Sequence, residues 1–409
     1  MSAERSSTST APSASPAEGP DRFAPALLCA PAEERLAYFE RCCTIEHARL
    51  QEACDAVLHA ICSPGDGARR NRPGVMVLVI GPSRVGKTTL VQLVEQHLLA
   101  RASVRMQSDP GHMPVVRFTA VGPGSGRYDW MDYYKAVLRQ LGDPFVDRVA
   151  ASVRVRDMRE AAEVALIQRQ PYAVLIDEAH HLAKAANGRR LQDHLDHLKY
   201  LENRTGVSHV LVGTYEMRPF RTVNAQLACR SLDVHFPRYD AAKTGDRTIF
   251  RSVLWALQRQ LPLADEPPLV EQQWEYLYAR SIGCIGLLKI HLNRALELAL
   301  AEDARTVTSA HLRATALAED RLKLALSAAL AGEADLAEPD GADDRLLTLL
   351  GLDTAAMIQG MSGLQRRPRV GGGKPGERRP GRDLIGAAAA PDLREDEDHD
   401  GDDAHCATG

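Results

Sequence analysis

Aromatic side chains are scarce: Phe, Tyr and Trp make up 5% of the 409 residues. Any core must therefore be built chiefly from Leu, Val, Ile and Ala. No uninterrupted apolar run reaches the length needed to cross a bilayer, which excludes a membrane-spanning chain. The opening stretch, MSAERSSTSTAPSASPAEGP, lacks the apolar segment of a secretory signal. Its Ser, Ala and Pro content reads as a disordered tail. A surplus of one charge is also missing, with 50 basic against 54 acidic residues and a formal net charge of −4. That balance excludes a wholly basic nucleic-acid binder and leaves room for a local basic stripe. The eight cysteines show neither paired zinc-ribbon spacing nor a C-x-x-C pair. Without a secretion signal they read as reduced thiols, and the expected location is cytoplasmic.

What is present is a change of pattern along the chain. Residues 31–62 place Leu36 and Phe39, then Leu50, Cys54, Val57, Leu58 and Ile61, at three- and four-residue steps, which predicts helix. Five apolar strands follow at 75–80, 114–118, 173–177, 209–213 and 233–236, separated by helical stretches. That alternation predicts an α/β domain with a parallel sheet covered on both faces. From about 240 the strands stop and four helical stretches take over. The expected organisation is a disordered tail over 1–21, an N-terminal helical segment over 22–66, a sheet domain over 67–239 and a helical lid over 240–332. A basic and then acidic tail over 333–409 would be mostly disordered, with one short helix near 343–361. The GGGK at 371–374 has no strand before it and no helix after it, so it is not a second phosphate loop.

The chemistry is carried by GPSRVGKTTL, residues 81–90. Gly81, four residues, then Gly86-Lys87-Thr88 is the Walker A spacing, with a strand before it and a helical pattern after it. Glycines let main-chain N–H groups of the loop (Gly81, Pro82, Ser83, Arg84, Val85, Gly86, Lys87, Thr88 and Thr89 form the expected ATP-binding stretch) converge on phosphate oxygens. Lys87 is placed to meet the β- and γ-phosphates, and Thr88 to ligate Mg²⁺. AVLIDEAHH supplies a second half. Asp177, ending a buried strand, suits the carboxylate that holds Mg²⁺, and Glu178 suits the base that activates water. No N-K-x-D motif and no L-S-G-G-Q signature occurs, which sets aside GTPases and transport ATPases. His180-His181 with His194 and His197 suggests a metal, but no third ligand is placed and the Walker B strand already accounts for the neighbourhood.

Four segments, GPGSGRYDWMDYYKAVLRQLGDP, LIDEAHHL, LKYLENRTGVSHVLVGTYEM and NAQLACRSLDVHFPRY, resemble the TnsC/TniB ATPases of cut-and-paste transposons, which are MuB relatives. The resemblance covers roughly 30–320. It implies an AAA+ P-loop core with a five-stranded parallel sheet and a small C-terminal helical lid. It also implies an ATP switch that assembles as a ring or helical filament on duplex DNA, marks a target with a target-selector protein, recruits the transposase and disassembles on hydrolysis. On this resemblance Thr214, ending the fourth strand, would sense the γ-phosphate; the bland alternative is a turn role. Arg230 would reach a neighbour's γ-phosphate, with Arg238 as fallback; the alternative is a surface arginine. Arg127, with Arg154 and Arg156, would meet DNA phosphates, or else be solvated surface. One departure stands out: in SIGCIGLLK (281–289) Gly286 occupies the place of the lid arginine that AAA+ proteins often carry, and Lys289 is a weak substitute.

Two other readings share these motifs. A replication-initiator or loader-like ATPase would keep the site and add a C-terminal DNA reader. A signalling NTPase would keep the switch, add a sensor repeat and have no DNA role. No zinc finger or other base-reading motif is visible, so DNA binding, where it occurs, is expected to be largely sequence-independent.

Overall fold

The computed structural model describes residues 23–41, 45–62, 74–122, 128–148, 152–184, 189–222, 231–337 and 342–352. The five strands form where apolar runs require them: β1 (Met76–Ile80), β2 (Val115–Thr119), β3 (Ala173–Asp177), β4 (Ser208–Gly213) and β5 (Ser231–His235). They make one parallel sheet in the order β2-β3-β4-β1-β5. Burial follows position in that order. Central strands β1, β3 and β4 are buried at every residue, whereas the edge strands β2 and β5 expose part of their length. A strand covered on both faces is mostly apolar, with polar residues confined here to its ends (Asp177 of β3, Ser208 and His209 of β4), whereas an edge can alternate.

Helices α1 (Ala32–Arg41), α2 (Ala48–Ile61), α3 (Lys87–Ser108), α4 (Trp130–Gln140), α5 (Val155–Arg169), α6 (His180–Lys184), α7 (Arg189–Thr205) and α8 (Pro219–Thr222) accompany the sheet. Side chains of α2 and α3 pack on one face, with Val57, Leu90 and Leu98 against Val77 and Val79. Side chains of α4, α5 and α7 pack on the other, with Val137, Leu166 and Leu198 against Leu78 and Ile176. The N-terminal helices part company here. Helix α1 buries Phe39 in the C-terminal helical cluster, while α2 belongs to the sheet. Periodicity announces an apolar face but not its partner.

Beyond β5 come α9 (Thr244–Arg259), α10 (Leu269–Gln272), α11 (Trp274–Ser281), α12 (Ile285–Ala301), α13 (Ser309–Thr315) and α14 (Glu319–Leu336). Leu254, Leu257, Leu277, Leu292 and Leu296 form their shared core. The helical stretch at 308–330 is two helices broken at Ala316: Thr308 and His311 form a capping box at the start of α13, whereas α14 follows Ala318 without a side-chain cap. A separate unit over Glu338–Gly409 contains α15 (Ala342–Leu349). Among the described residues no helix is long and apolar enough to cross a membrane.

Helix α14 joins the two bodies of the first unit. Leu322 and Leu326 pack with Ile282 and Cys284 of the lid, whereas Ala329 is buried in the core of the sheet domain. Its last turns meet the loop after β4: Gly332 lies on the ring of Tyr215, Glu333 pairs with Arg238 at 3.3 Å, and Asp335 pairs with Arg218. Alanine in place of a mid-helix glycine ordinarily gains about 1 kcal/mol. At Gly332 an added Cβ would fall 2.1 Å from Cγ of the rigid Tyr215 ring. Overpacking of that kind costs about 1–3 kcal/mol and outweighs the propensity gain. Gly332→Ala is therefore expected to lower the urea midpoint of unfolding; a raised midpoint would show that α14 does not rest on Tyr215.

Candidate nucleotide site

Parallel order puts the C-terminal ends of β1, β3 and β4 side by side, and the sequence loads each end with polar residues. After β1 the chain turns through Arg84 at φ 64° and Gly86 at φ 118° before α3 begins. Gly86 caps α3 in the left-handed region, which a side chain rarely tolerates. Val85 is buried against the α2–α3 face and anchors the loop. The opening N–H groups of α3 and its dipole are thereby aimed at one anion position.

Lys87 is 6% exposed, and its Nζ donates to the carbonyls of Gly81 at 3.2 Å and Pro82 at 2.7 Å. Burial pulls its pKa down to about 8, against the opposing fields of Glu178 and Asp177. An ammonium group stripped of water and met by carbonyls is a strong attractor for phosphate. Thr88 Oγ1 donates to Asp177 Oδ2 at 2.8 Å. The other oxygen, Oδ1, accepts the main-chain N–H of Glu178 at 2.8 Å. Hard oxygen donors so paired suit Mg²⁺, which takes one or two protein ligands and completes its shell with phosphate and water. Among the described residues no three His, Cys, Asp or Glu side chains form a metal cage. His194 accepts from Trp130 Nε1 at 3.1 Å and His197 meets the Tyr134 hydroxyl, so both serve packing.

A cleft of about 670 Å³ opens between this loop and the lid. Ser83, Arg84, Lys87, Thr88, Thr89 and Glu178 line it from the sheet domain. Gly286, Lys289, Asn293, Arg294 and Glu297 line it from α12, one face at helical spacing. The glycine that stands where a lid arginine was sought has its own reason: a Cβ there would lie 2.3 Å from the carbonyl oxygen of Arg84. Lys289 donates to the carbonyl of Glu40 at 2.9 Å and ties α1 to the lid. The lid arginine that lines the cleft is Arg294, about two turns farther along the same face. Sequence reading stops at Lys289 and misses it; stepping along the helix by threes and fours reaches it.

The remaining expected residues divide. Thr214 ends β4, and its Oγ1 donates to Glu216 Oε2 at 3.5 Å; it does not line the cleft. Arg238, the expected fallback for a finger, is 8% exposed, pairs with Glu333 and donates toward the Tyr278 hydroxyl, so its guanidinium is held inside the chain. Arg154 and Arg156 are exposed at the start of α5, and Arg156 pairs with Glu160 at 2.9 Å. Arg127 and Arg230 lie outside the described residues.

Residues 70–220 match the family model described as an AAA domain. The chain carries an AAA+ P-loop core. No curated protein matches the chain. Among solved structures it is similar to the ORC2 protein of Aeropyrum pernix in its ADPNP-ADP complexes, at 14% identity and TM-score 0.47, over 66% of this chain and 67% of that one. It is also similar to a chain of Drosophila ORC bound to DNA, at 15% identity and TM-score 0.43, over 85% and 88%. A third is Cdc6p of Pyrobaculum aerophilum, at 11% identity and TM-score 0.44, over 68% and 69%. The assignment of the AAA+ core rests on the family match, the strand order and the placement of the loop.

The depressed Lys87 pKa makes a signed prediction. Below about pH 8 the ammonium is present in the free site; above it, binding of a triphosphate must first take up a proton. Affinity for ATP should thus be flat up to about pH 8 and then weaken, approaching tenfold per pH unit. Titration calorimetry from pH 7 to 9.5 reads this, and Lys87→Ala should lose both the affinity and the slope. Affinity indifferent to pH up to 9.5 in the unaltered chain would refute this role for Lys87.

Proposed function

We propose that this protein is an ATP-dependent, largely sequence-independent DNA-binding regulator of transposition. In this reading it assembles as a homo-oligomer on target DNA, recruits a transposase and disassembles when ATP is hydrolysed. The observation that carries the ATPase part is that Lys87, Thr88 and Glu178 line one cleft, with Asp177 bonded to Thr88 and to the Glu178 main chain. Its DNA and transposition parts are supported by the resemblance of the GPGSGRYDW and GTYEM segments to TnsC/TniB proteins.

The roles follow from chemistry. Lys87 and the opening N–H groups of α3 bind the phosphates. Thr88 and Asp177 would hold Mg²⁺, which when bound neutralises phosphate charge. Glu178 lines the cleft and accepts the proton of the attacking water. Thr214 would orient that water once its hydroxyl leaves Glu216. Arg230 would complete a neighbouring protomer's site, and Arg127, Arg154 and Arg156 would contact DNA phosphates. Of the two that the structure describes, Arg156 already has a carboxylate partner, so Arg154 is the better candidate.

The test uses Glu178→Gln, which should bind ATP without turning it over. With ATP it should form long-lived oligomers on any duplex, and with ADP it should not. Affinity for duplex should fall steeply with salt. Arg127→Ala should flatten the log–log slope by about 0.9 for each phosphate left without its arginine, with ATP affinity unchanged. DNA binding that ignores the nucleotide would refute the switch, and no binding under any condition would favour a nucleotide switch without a DNA role.

A further inference from the structure

From Glu178 in the cleft, a chain of five polar side chains runs away from the phosphate-binding loop, and the phosphate chemistry does not require it. Glu178 leaves β3 at φ 53°, an uncommon conformation for a residue with a side chain, so its carboxylate departs the strand end at a fixed angle. Its Oε2 lies 3.0 Å from Nδ1 of His180, the first residue of α6. Beyond the ring, Nε2 lies 3.7 Å from Oε2 of Glu216. That same oxygen takes the ammonium of Lys184 at 2.9 Å and the hydroxyl of Thr214 at 3.5 Å.

The imidazole is 8% exposed, and Nδ1 is buried without an aligned hydrogen-bond partner despite its nearness to Glu178. A buried polar atom left so costs about 1–3 kcal/mol. A small turn of the Glu178 side chain removes that cost, so the ring draws the carboxylate to one place. Burial holds the ring's pKa below its usual value, with His181 and Lys184 acting in the same sense and Glu178 and Glu216 opposing. The ring is thus neutral and carries one proton for two carboxylates. The proton can serve Glu178 only while the charge of Glu216 is answered by something else, and Lys184 answers it.

We propose that His180 is a positioning residue for Glu178, donating from Nδ1, and that Lys184 keeps it in that tautomer by neutralising Glu216. The proposal rests on Glu178 being the base of an ATPase. It adds a route by which the end of β4, where Thr214 and Glu216 sit, sets the placement of the base at the end of β3.

The experiment has two arms on the full chain. In the first, ¹⁵N NMR of histidine-labelled protein reads the tautomer of His180 without reference to turnover. Nδ1–H is expected in the unaltered chain, Nε2–H in Lys184→Met, and Nδ1–H again in Lys184→Met/Glu216→Gln. In the second, steady-state ATPase is measured beside nucleotide affinity. His180→Ala is expected to lower kcat about 10- to 100-fold with affinity unchanged. His180→Asn, whose amide nitrogen stands near the place of Nδ1, should keep more activity than His180→Gln. Lys184→Met should lose about tenfold or more in kcat, and adding Glu216→Gln should restore it. Lys184 and Glu216 are both half-exposed, so these variants fold even where the buried His180 does not tolerate change. Nε2–H in the unaltered chain, a tautomer indifferent to Lys184, or no rescue by Glu216→Gln would overturn the proposal. Absence of ATP turnover in the unaltered chain would instead sink the ATPase reading, with the tautomer still deciding the role of the ring.

Discussion

The first turn of α12 comes so near the P-loop that there is no room between them for a single Cβ: a methyl group on Gly286 would sit 2.3 Å from the Arg84 carbonyl oxygen. This contact fixes the cleft. It sets the distance between the phosphate-binding loop and the lid face that carries Asn293, Arg294 and Glu297. It also brings the lid thiol of Cys284 near Lys87, where burial pushes the thiol up to about 12 and keeps it neutral beside the ammonium. A thiolate there would compete with phosphate for the lysine; a buried thiol does not. Helix α1 completes the arrangement from the far side, since Lys289 bonds the Glu40 carbonyl and Phe39 fills the lid core.

A second hold on the lid is made of weaker parts. Glu333 and Arg238 face each other at 3.3 Å, yet the Glu333 carboxyl is pushed up, because burial outweighs the pull of the arginine. Such a pair adds little net stability. It does specify geometry, since removing either partner leaves a buried group uncompensated. With Tyr215 against Gly332, it sets where α14 meets the loop after β4.

Much of the sheet domain is legible in the amino-acid sequence. Buried parallel strands are mostly apolar, so β1, β3 and the VLV of β4 announce themselves, and Asp177 ending β3 follows from the same pattern. The P-loop reads equally well because its function lies in local backbone geometry, and the spacing of Gly81, Gly86 and Lys87 encodes that geometry. What escapes the sequence has one physical character: it depends on which faces meet across the fold. The periodicity of α1 and α2 is the same in kind, and only three-dimensional packing sends one to the lid and the other to the sheet. Arg238 looks available because it follows a strand; packing of α14 encloses it. Arg294 goes unseen because the register of α12 over the cleft is set by the Gly286 contact, which the sequence shows only as a glycine. His180 reads as a possible metal ligand or as part of a strand end, and its nearness to both Glu178 and Glu216 emerges only when β3 and β4 lie side by side.

The loop after β4 is therefore held from two directions. On one side Thr214 bonds Glu216, which meets Lys184 and His180 and, through the ring, Glu178. On the other, Tyr215 and Arg218 are held by the end of α14, whose first turns are packed into the lid. Tyr215 is also fixed by its hydroxyl, 3.0 Å from His235 Nε2 on β5, so the ring cannot swing aside when pressed. Close-packed interiors transmit displacement rather than absorb it. The lid grips both the P-loop at Gly286 and the loop after β4 through α14, so a displacement of the lid would be felt at Thr214 and Glu216 as well as in the cleft.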